Sequence, residues 1–225
     1  MDDRSPFHPY GAPVVLPRGP HGLDREVVLA SQRGRLLTAF VAQAADRGVS
    51  AVTISDIVRV AGTAKRTFYE HFRDKDDCFL QAFDVASEIV VGALVDAVAA
   101  EPDPVRRIEC GVRAYLGALV AHPEFALLFL THMRAAAPQL ADRYTEWVEM
   151  LAGALVQWRR ESRETRPDVP ELSRLQALAG IAAVNEIVGL TLHADGVEGI
   201  GAVTDELVAL TVTFLTADAG ARPGG

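Results

Sequence analysis

Between Thr53 and Lys75 the chain reads TISDIVRVAGTAKRTFYEHFRDK, and few folds accommodate that order of signals. Val52, Thr53, Asp56 and Ile57 mark a helix start with three agreeing cues. Thr53 caps the first-turn amides, Asp56 answers as the acid three residues on, and Val52 and Ile57 are placed to clasp across the cap. The helix so begun ends near Val60, before Ala61-Gly62-Thr63, where Gly62 permits the left-handed backbone that a tight turn wants. A second short helix is expected from about Ala64 to Phe72. Asp74 as cap and Asp77 three residues later open the next one. Two short helices joined by a tight turn form a helix-turn-helix, in which the second helix is the one that enters the DNA major groove.

The second helix divides its duties by face. Phe68 and Phe72, four apart, point toward a core, and Lys65, Arg66, Thr67, Tyr69 and His71 are then spread over the outward sides. Cations and hydroxyls suit phosphates, and a long forked donor suits guanine edges. A solvated basic helix face would look the same in isolation. Lys75 adds a second argument, because it lies in the first turn of a helix, where the macrodipole disfavours a cation by roughly 0.3–1 kcal/mol. Leaning onto a phosphate would offset that cost.

A net charge of −8 over 225 residues sits badly with DNA binding until it is divided along the chain. Residues 24–77 carry nine Lys/Arg and eight Asp/Glu, a balance of +1, whereas residues 78–225 carry −9. The acidity therefore belongs to the C-terminal two-thirds. DNA affinity would rest on a few placed cations and backbone amides.

The run Thr53, Ile54, Asp56, Ile57, Ala61, Gly62, Thr63, Ala64, Lys65, Arg66, Thr67, Phe68, Tyr69, His71, Phe72 and Lys75 resembles the DNA-binding signature of the tetracycline-repressor (TetR) family. It matches closely over residues 53–80. The resemblance implies an all-α homodimeric transcription factor, a repressor that sits on a palindromic operator and is released by a small ligand. It also implies roles by position: Thr53, Tyr69 and Lys75 as phosphate contacts, Lys65 and Arg66 as base readers, and Thr67 and His71 as supporting contacts. One position departs from the pattern. The family often has a serine where Ala64 stands, capping the second helix, and Thr63 is the residue placed to substitute.

Around this motif the expected organisation has four parts. Residues 1–23, with five prolines and no periodicity, form a disordered arm, either reaching into a minor groove or solvated. Residues 24–74 form the three-helix DNA-binding domain, whose first helix carries Leu36, Leu37, Phe40, Val41 and Ala44 at helical spacing. Residues 75–217 form a larger helical domain for effector binding and dimerisation, and 218–225 a disordered tail. Within the larger domain, breakers at Glu101–Pro104, His122-Pro123 and Pro138 separate helices over 75–100, 104–121, 123–136 and 138–163. Phe125, Phe129 and Met133 recur every four residues, as do Trp147 and Leu151, a pattern that serves a core or a ligand pocket equally. Tyr115, Thr131, His132 and Asn185 are polar groups amid apolar runs, costly to bury without a partner. The expected pocket is mostly apolar and lined by Phe83, Tyr115, Phe125, Phe129, His132, Met133, Trp147, Leu151 and Asn185. Residues 171–193 and 199–217 read as two helices apolar on several sides and rich in small residues, suited to pairing with a second copy.

Other functions find little support. No Gly-rich phosphate loop, HExxH or Cys/His cluster is present, so no metal or cofactor is expected. Glu186, the one acid inside a long apolar helix, has no evident catalytic partner, which leaves an all-α enzyme as the weaker alternative beside an effector-independent dimeric DNA-binding protein. No uninterrupted apolar run reaches the length of a membrane span. Two cysteines, Cys78 and Cys110, read as free thiols, in keeping with a cytoplasmic protein.

Overall fold

The computed structural model describes residues 25–132 and 138–217. The stretch 1–23, the tail 218–225 and Met133 lie outside the described residues, as does the side chain of His132. Every regular element described is helical: α1 (Arg25–Arg47), a 3-10 turn (Val49–Ala51), α2 (Ile54–Ala61), α3 (Lys65–His71), α4 (Lys75–Ala99), α5 (Pro104–Ala121), α6 (Pro123–Leu127), a wide π-type turn (Leu128–His132), α7 (Pro138–Thr165) and α8 (Arg174–Thr216). The chain divides into two compact units, residues 1–89 with 122–140 and residues 90–121 with 141–225. Helix α4 contributes to both, changing unit between Ile89 and Val90.

In the first unit α1 packs against α2, α3 and α6. Its expected stripe Leu36, Leu37, Phe40, Val41 and Ala44 is buried throughout. Phe40 meets Phe79 of α4 at 5.4 Å between ring centroids, and Phe79 meets Phe129 at the same distance. Phe83 and Phe125 close on Phe129 at 5.2 and 4.5 Å. The helix expected over 123–136 is instead the five-residue α6 followed by the π-type turn, within which the Thr131 hydroxyl donates to the Leu127 carbonyl. Phe125 and Phe129 are both buried as core.

Helix α2 starts as the sequence predicts. The Asp56 amide donates to Thr53 Oγ1 at 3.2 Å, the Thr53 amide donates to the Asp56 carboxylate at 3.2 Å, and both Val52 and Ile57 are buried. The helix ends on Gly62 at φ 64°, ψ 39°. There the Thr63 amide reaches the Val58 carbonyl at 2.9 Å and the Gly62 amide reaches the Arg59 carbonyl at 3.4 Å, so two carbonyls freed by the helix end are satisfied within the turn. Only a residue without a Cβ holds this conformation without strain.

In the second unit α5, α7 and α8 enclose a core around Ile108, Ala152, Leu172, Ala177 and Leu215. Helix α8 begins with a reciprocal cap between Ser173 and Gln176 and is interrupted at Gly196 (φ 68°, ψ −165°). The break falls in the gap, residues 194–198, expected between the last two helices. The two segments fold back on each other. A Cβ on Gly180 would lie 2.9 Å from Leu215 Cδ2, and the Gln176 side-chain amide donates to the Ala217 carbonyl at 3.2 Å. Helices α4 and α8 contain stretches with the mean hydropathy of a membrane span, 1.7 and 1.5, of which 33% is buried inside the chain.

Gly62→Ala should lower the unfolding free energy by about 1–2 kcal/mol, the cost of a left-handed residue with a side chain. Urea denaturation of the two proteins under identical conditions would measure it.

Candidate nucleic-acid interface and cavity

Helix α3 is seven residues long and has no side-chain cap. Ala64 occupies the cap position, and Thr63, the expected substitute, does not serve: its hydroxyl is buried and has no hydrogen-bond partner among the described residues. What holds the helix is its inner face. Phe68 and Phe72 are 0% and 2% exposed with ring centroids 5.2 Å apart. Opposite them Lys65 and Arg66 are exposed, and Tyr69 is 58% exposed with its ring edge-on to Phe68 at 5.5 Å. Arg66 Nε donates to Glu70 at 3.1 Å while the arginine side chain stays 91% exposed. An exposed pair of this kind contributes roughly 0.3–0.5 kcal/mol, little enough to be given up, and it leaves the terminal nitrogens of the fork free.

The remaining expected contact residues are more constrained. The Thr53 hydroxyl donates to the Asp56 carboxylate at 2.7 Å. A phosphate, which only accepts, would take that proton only in exchange for the Asp56 bond. Asp56 is held below the usual carboxylate range by the Thr53 side-chain bond first and the Thr53 backbone bond second. Lys75 Nζ donates to the carbonyls of Val49 at 2.8 Å and Val52 at 3.0 Å. These bonds tie the first turn of α4 to the turn that precedes α2, and they answer the macrodipole problem without a phosphate. One N–H and the whole charge remain. Thr67 is half-buried. His71 is half-buried beside Phe72, with Nε2 shielded and unpartnered among the described residues. Burial first, then the charge of Arg33, lowers its pKa from the ordinary 6.5.

A separate cavity of ≈ 420 Å³ lies within the second unit. Its walls come from Val91–Val98 of α4, Arg107–Tyr115 of α5, Trp147–Trp158 of α7 and both segments of α8. Of the expected pocket residues Tyr115, Trp147, Leu151 and Asn185 line it. Phe83, Phe125 and Phe129 do not; they belong to the aromatic core of the first unit. Helical periodicity cannot tell a core stripe from a pocket stripe, and these rings pack on one another in the first unit. Polar groups cross the cavity wall as a chain: Tyr115 donates to Asn185 Oδ1 at 2.7 Å, and Asn185 Nδ2 donates to Tyr144 Oη at 2.8 Å. Burial, then Tyr144, pushes the Tyr115 phenol far up, so it remains a donor. Glu186, beside Asn185 in sequence, is exposed.

Sequence reasoning missed two residues here and foresaw only Asn185 of α8. Tyr144 joins the polar chain, and Arg107 lies at the cavity with its guanidinium carbon 5.3 Å from the Trp158 ring centroid. Arg107 adjoins the apolar stripe that begins at Ile108, and an arginine at a stripe edge is ordinarily solvated.

Comparison with known proteins accords with this geometry. Residues 36–82 match the family model described as bacterial regulatory proteins, tetR family. The HTH-type transcriptional regulator EthR of Mycolicibacterium smegmatis is 26% identical over 220 residues, covering 93% of this chain and 95% of that protein. The HTH-type transcriptional repressor KstR2 of Mycobacterium tuberculosis is 25% identical over 130 residues, 54% of this chain and 65% of its own length. Among solved structures, the transcriptional regulator FadR from Bacillus subtilis in complex with stearoyl-CoA superimposes with a TM-score of 0.72 at 17% identity, covering 80% of this chain and 97% of that one. FadR from Bacillus halodurans gives the same TM-score at 18% identity, covering 85% and 96%.

Lys75→Met should destabilise the first unit by about 1–3 kcal/mol, because two carbonyls lose their donor. Lys65→Ala, fully on the surface, should stay within about 0.5 kcal/mol of the parent. Thermal unfolding of the pair separates a lysine that holds the fold from one that is free. The His71 imidazole should titrate below 6.5 by NMR. Because its folded pKa is depressed, the stability it contributes is present above its unfolded value and is lost as pH falls through the folded one.

Proposed function

Because this chain is a TetR-family transcriptional regulator, we propose that it binds a palindromic operator as a homodimer through α3 and is released when a small, mostly apolar molecule enters the cavity of the second unit. The observation that carries the DNA half is the outward display of Lys65, Arg66 and Tyr69 from a helix whose opposite side is locked by Phe68 and Phe72. Lys65 and Arg66 read base edges. Tyr69, Thr53 and Lys75 take phosphates, Thr53 by exchanging its Asp56 bond and Lys75 with its third N–H. Thr67 and His71 support the helix from its flanks. In domain terms residues 24–74 read DNA, and residues 75–217 bind the effector and dimerise.

The effector half rests on the cavity, whose volume falls within the range of roughly 300–1,000 Å³ usual for small-molecule sites. The stearoyl-CoA bound by the FadR neighbour shows that a protein of this fold accepts a long apolar chain. The dimer rests on α8. Leu175, Ala179, Ala182, Ala183 and Leu190 share one exposed face of its first segment, and Leu210 and Phe214 are exposed on the second. Apolar stripes of this kind on a long helix call for a partner, and a two-fold pair also delivers two reading helices to two half-sites. Such a regulator works in the cytoplasm, where its DNA is.

Selection of bound DNA from a random pool should recover a palindrome. On that site Arg66→Ala should cost about 1–3 kcal/mol and relax base choice at one position per half-site, whereas Tyr69→Phe should weaken all sequences alike. Equal losses on every sequence for both variants would overturn the division of roles. Light scattering at micromolar concentration should give twice the chain mass, and Leu190→Glu combined with Phe214→Glu should give the monomer.

A further inference from the structure

The cavity has one charged end. Arg107 is the single charged residue in its wall, half-buried, with Nε donating to the Glu101 carbonyl at 2.9 Å and the guanidinium carbon 5.3 Å from the Trp158 ring. Arg159 approaches the same ring at 5.7 Å. It is 1% exposed, donates from Nη2 to the Leu215 carbonyl at 3.2 Å, and has no partner for Nε or Nη1 among the described residues. Neither arginine is within ion-pair distance of a carboxylate among the described residues. Glu101, whose carbonyl Arg107 binds, gives its carboxylate to Arg106 and to the Asp103 amide.

Burial of this kind has few exits. A guanidinium stays charged in proteins, so Arg159 cannot escape its surroundings by losing a proton. A buried charge without a counter-ion is strongly disfavoured, and one paired by forked hydrogen bonds is not. Two cations share the ring that closes the cavity, and the rest of the wall is aliphatic or aromatic apart from the Tyr115–Asn185 chain and Thr211, whose hydroxyl bonds its own helix at Leu207. Arg107, the one of the two that lines the cavity, has room on that side for an anion at the end of something apolar.

Resting on the effector reading above, we propose that the ligand is an amphiphile: an apolar body lying in the cavity, with a terminal carboxylate or phosphate seated at Arg107 beside Trp158. Arg107 supplies its two terminal nitrogens. Arg159, outside the cavity lining, supplies only field from behind the ring. The chain as a whole carries −8, so its overall charge repels such a ligand, and a preference for anions must come from these two groups.

The test titrates the full-length protein by calorimetry with dodecanoate, dodecyl phosphate and 1-dodecanol, each below its micellar concentration at pH 7.5. At least one anion should bind ten-fold or more tightly than the alcohol, and which one it is identifies the head group. Arg107→Gln should bring that ratio to within two-fold of unity while leaving the alcohol's affinity unchanged. Arg107→Lys, which keeps charge without the fork, should retain part of the preference. Ala154→Trp, which fills the cavity wall, should abolish binding of all three. Equal affinities in the parent protein, an anion preference that survives Arg107→Gln, binding that survives Ala154→Trp, or no binding by any probe would each overturn the proposal. The parent ratio decides even if a variant fails to fold. Adding the probes to the protein on its selected DNA separates the two readings. Anion-selective binding without DNA release refutes the effector switch and leaves the ligand class standing, whereas release by the alcohol and the anions alike does the reverse.

Discussion

A seven-residue helix has no stability of its own, since nucleation is costly and isolated helices shorter than about 12–15 residues are marginal in water. Helix α3 also lacks a side-chain cap. It is nonetheless the element that displays Lys65, Arg66 and Tyr69, and what fixes it is the burial of Phe68 and Phe72. Complete burial of two phenylalanines contributes on the order of 3–6 kcal/mol, far more than any exposed pair on the outer face. The display of Lys65, Arg66 and Tyr69 is therefore set from behind. Gly62 aims the helix and the aromatic face holds it.

The same division between support and display separates two of the cations proposed to meet DNA. Arg66 sits on the surface with only Glu70 as a light tether, and Lys75 is bolted to the Val49 and Val52 carbonyls. In the first helical turn of α4 the ammonium lies against the positive end of the macrodipole, a position tolerable because two carbonyl dipoles point at it. A lysine in this situation serves fold and ligand together, and any loss of DNA affinity on its removal mixes both effects.

Much of this was legible in the sequence because the signals were local. The Thr53–Asp56 cap, the Gly62 turn, the α1 stripe and the Asp74–Asp77 helix start depend on residues within a few positions of each other, and each appears where expected. Tyr115, Trp147, Leu151 and Asn185 were legible as cavity residues through polar groups or aromatics at helical spacing. Phe83, Phe125 and Phe129 were misassigned because periodicity reports which residues share a face and says nothing about what that face meets. The π-type turn at Leu128–His132 has no composition signal that distinguishes it from ordinary helix. Nothing in the local sequence singles out Arg107 or Arg159; only the fold shows one at a cavity and the other buried beside Trp158. The missing cap at Ala64 was legible, but its expected remedy was not, because Thr63 faces inward.

The fold-back of α8 at Gly196 has a consequence for how the protein is made. Thr211 and Leu215 belong to the cavity wall, and Leu215 also accepts from Arg159 and packs against Gly180. A nascent chain can assemble α1, α2 and α3 early, whereas the ligand chamber stays open on one side until the final segment has left the ribosome. A chain truncated in that last segment would lose a wall of the cavity and, with Leu210 and Phe214, part of the face on which the proposed dimer rests.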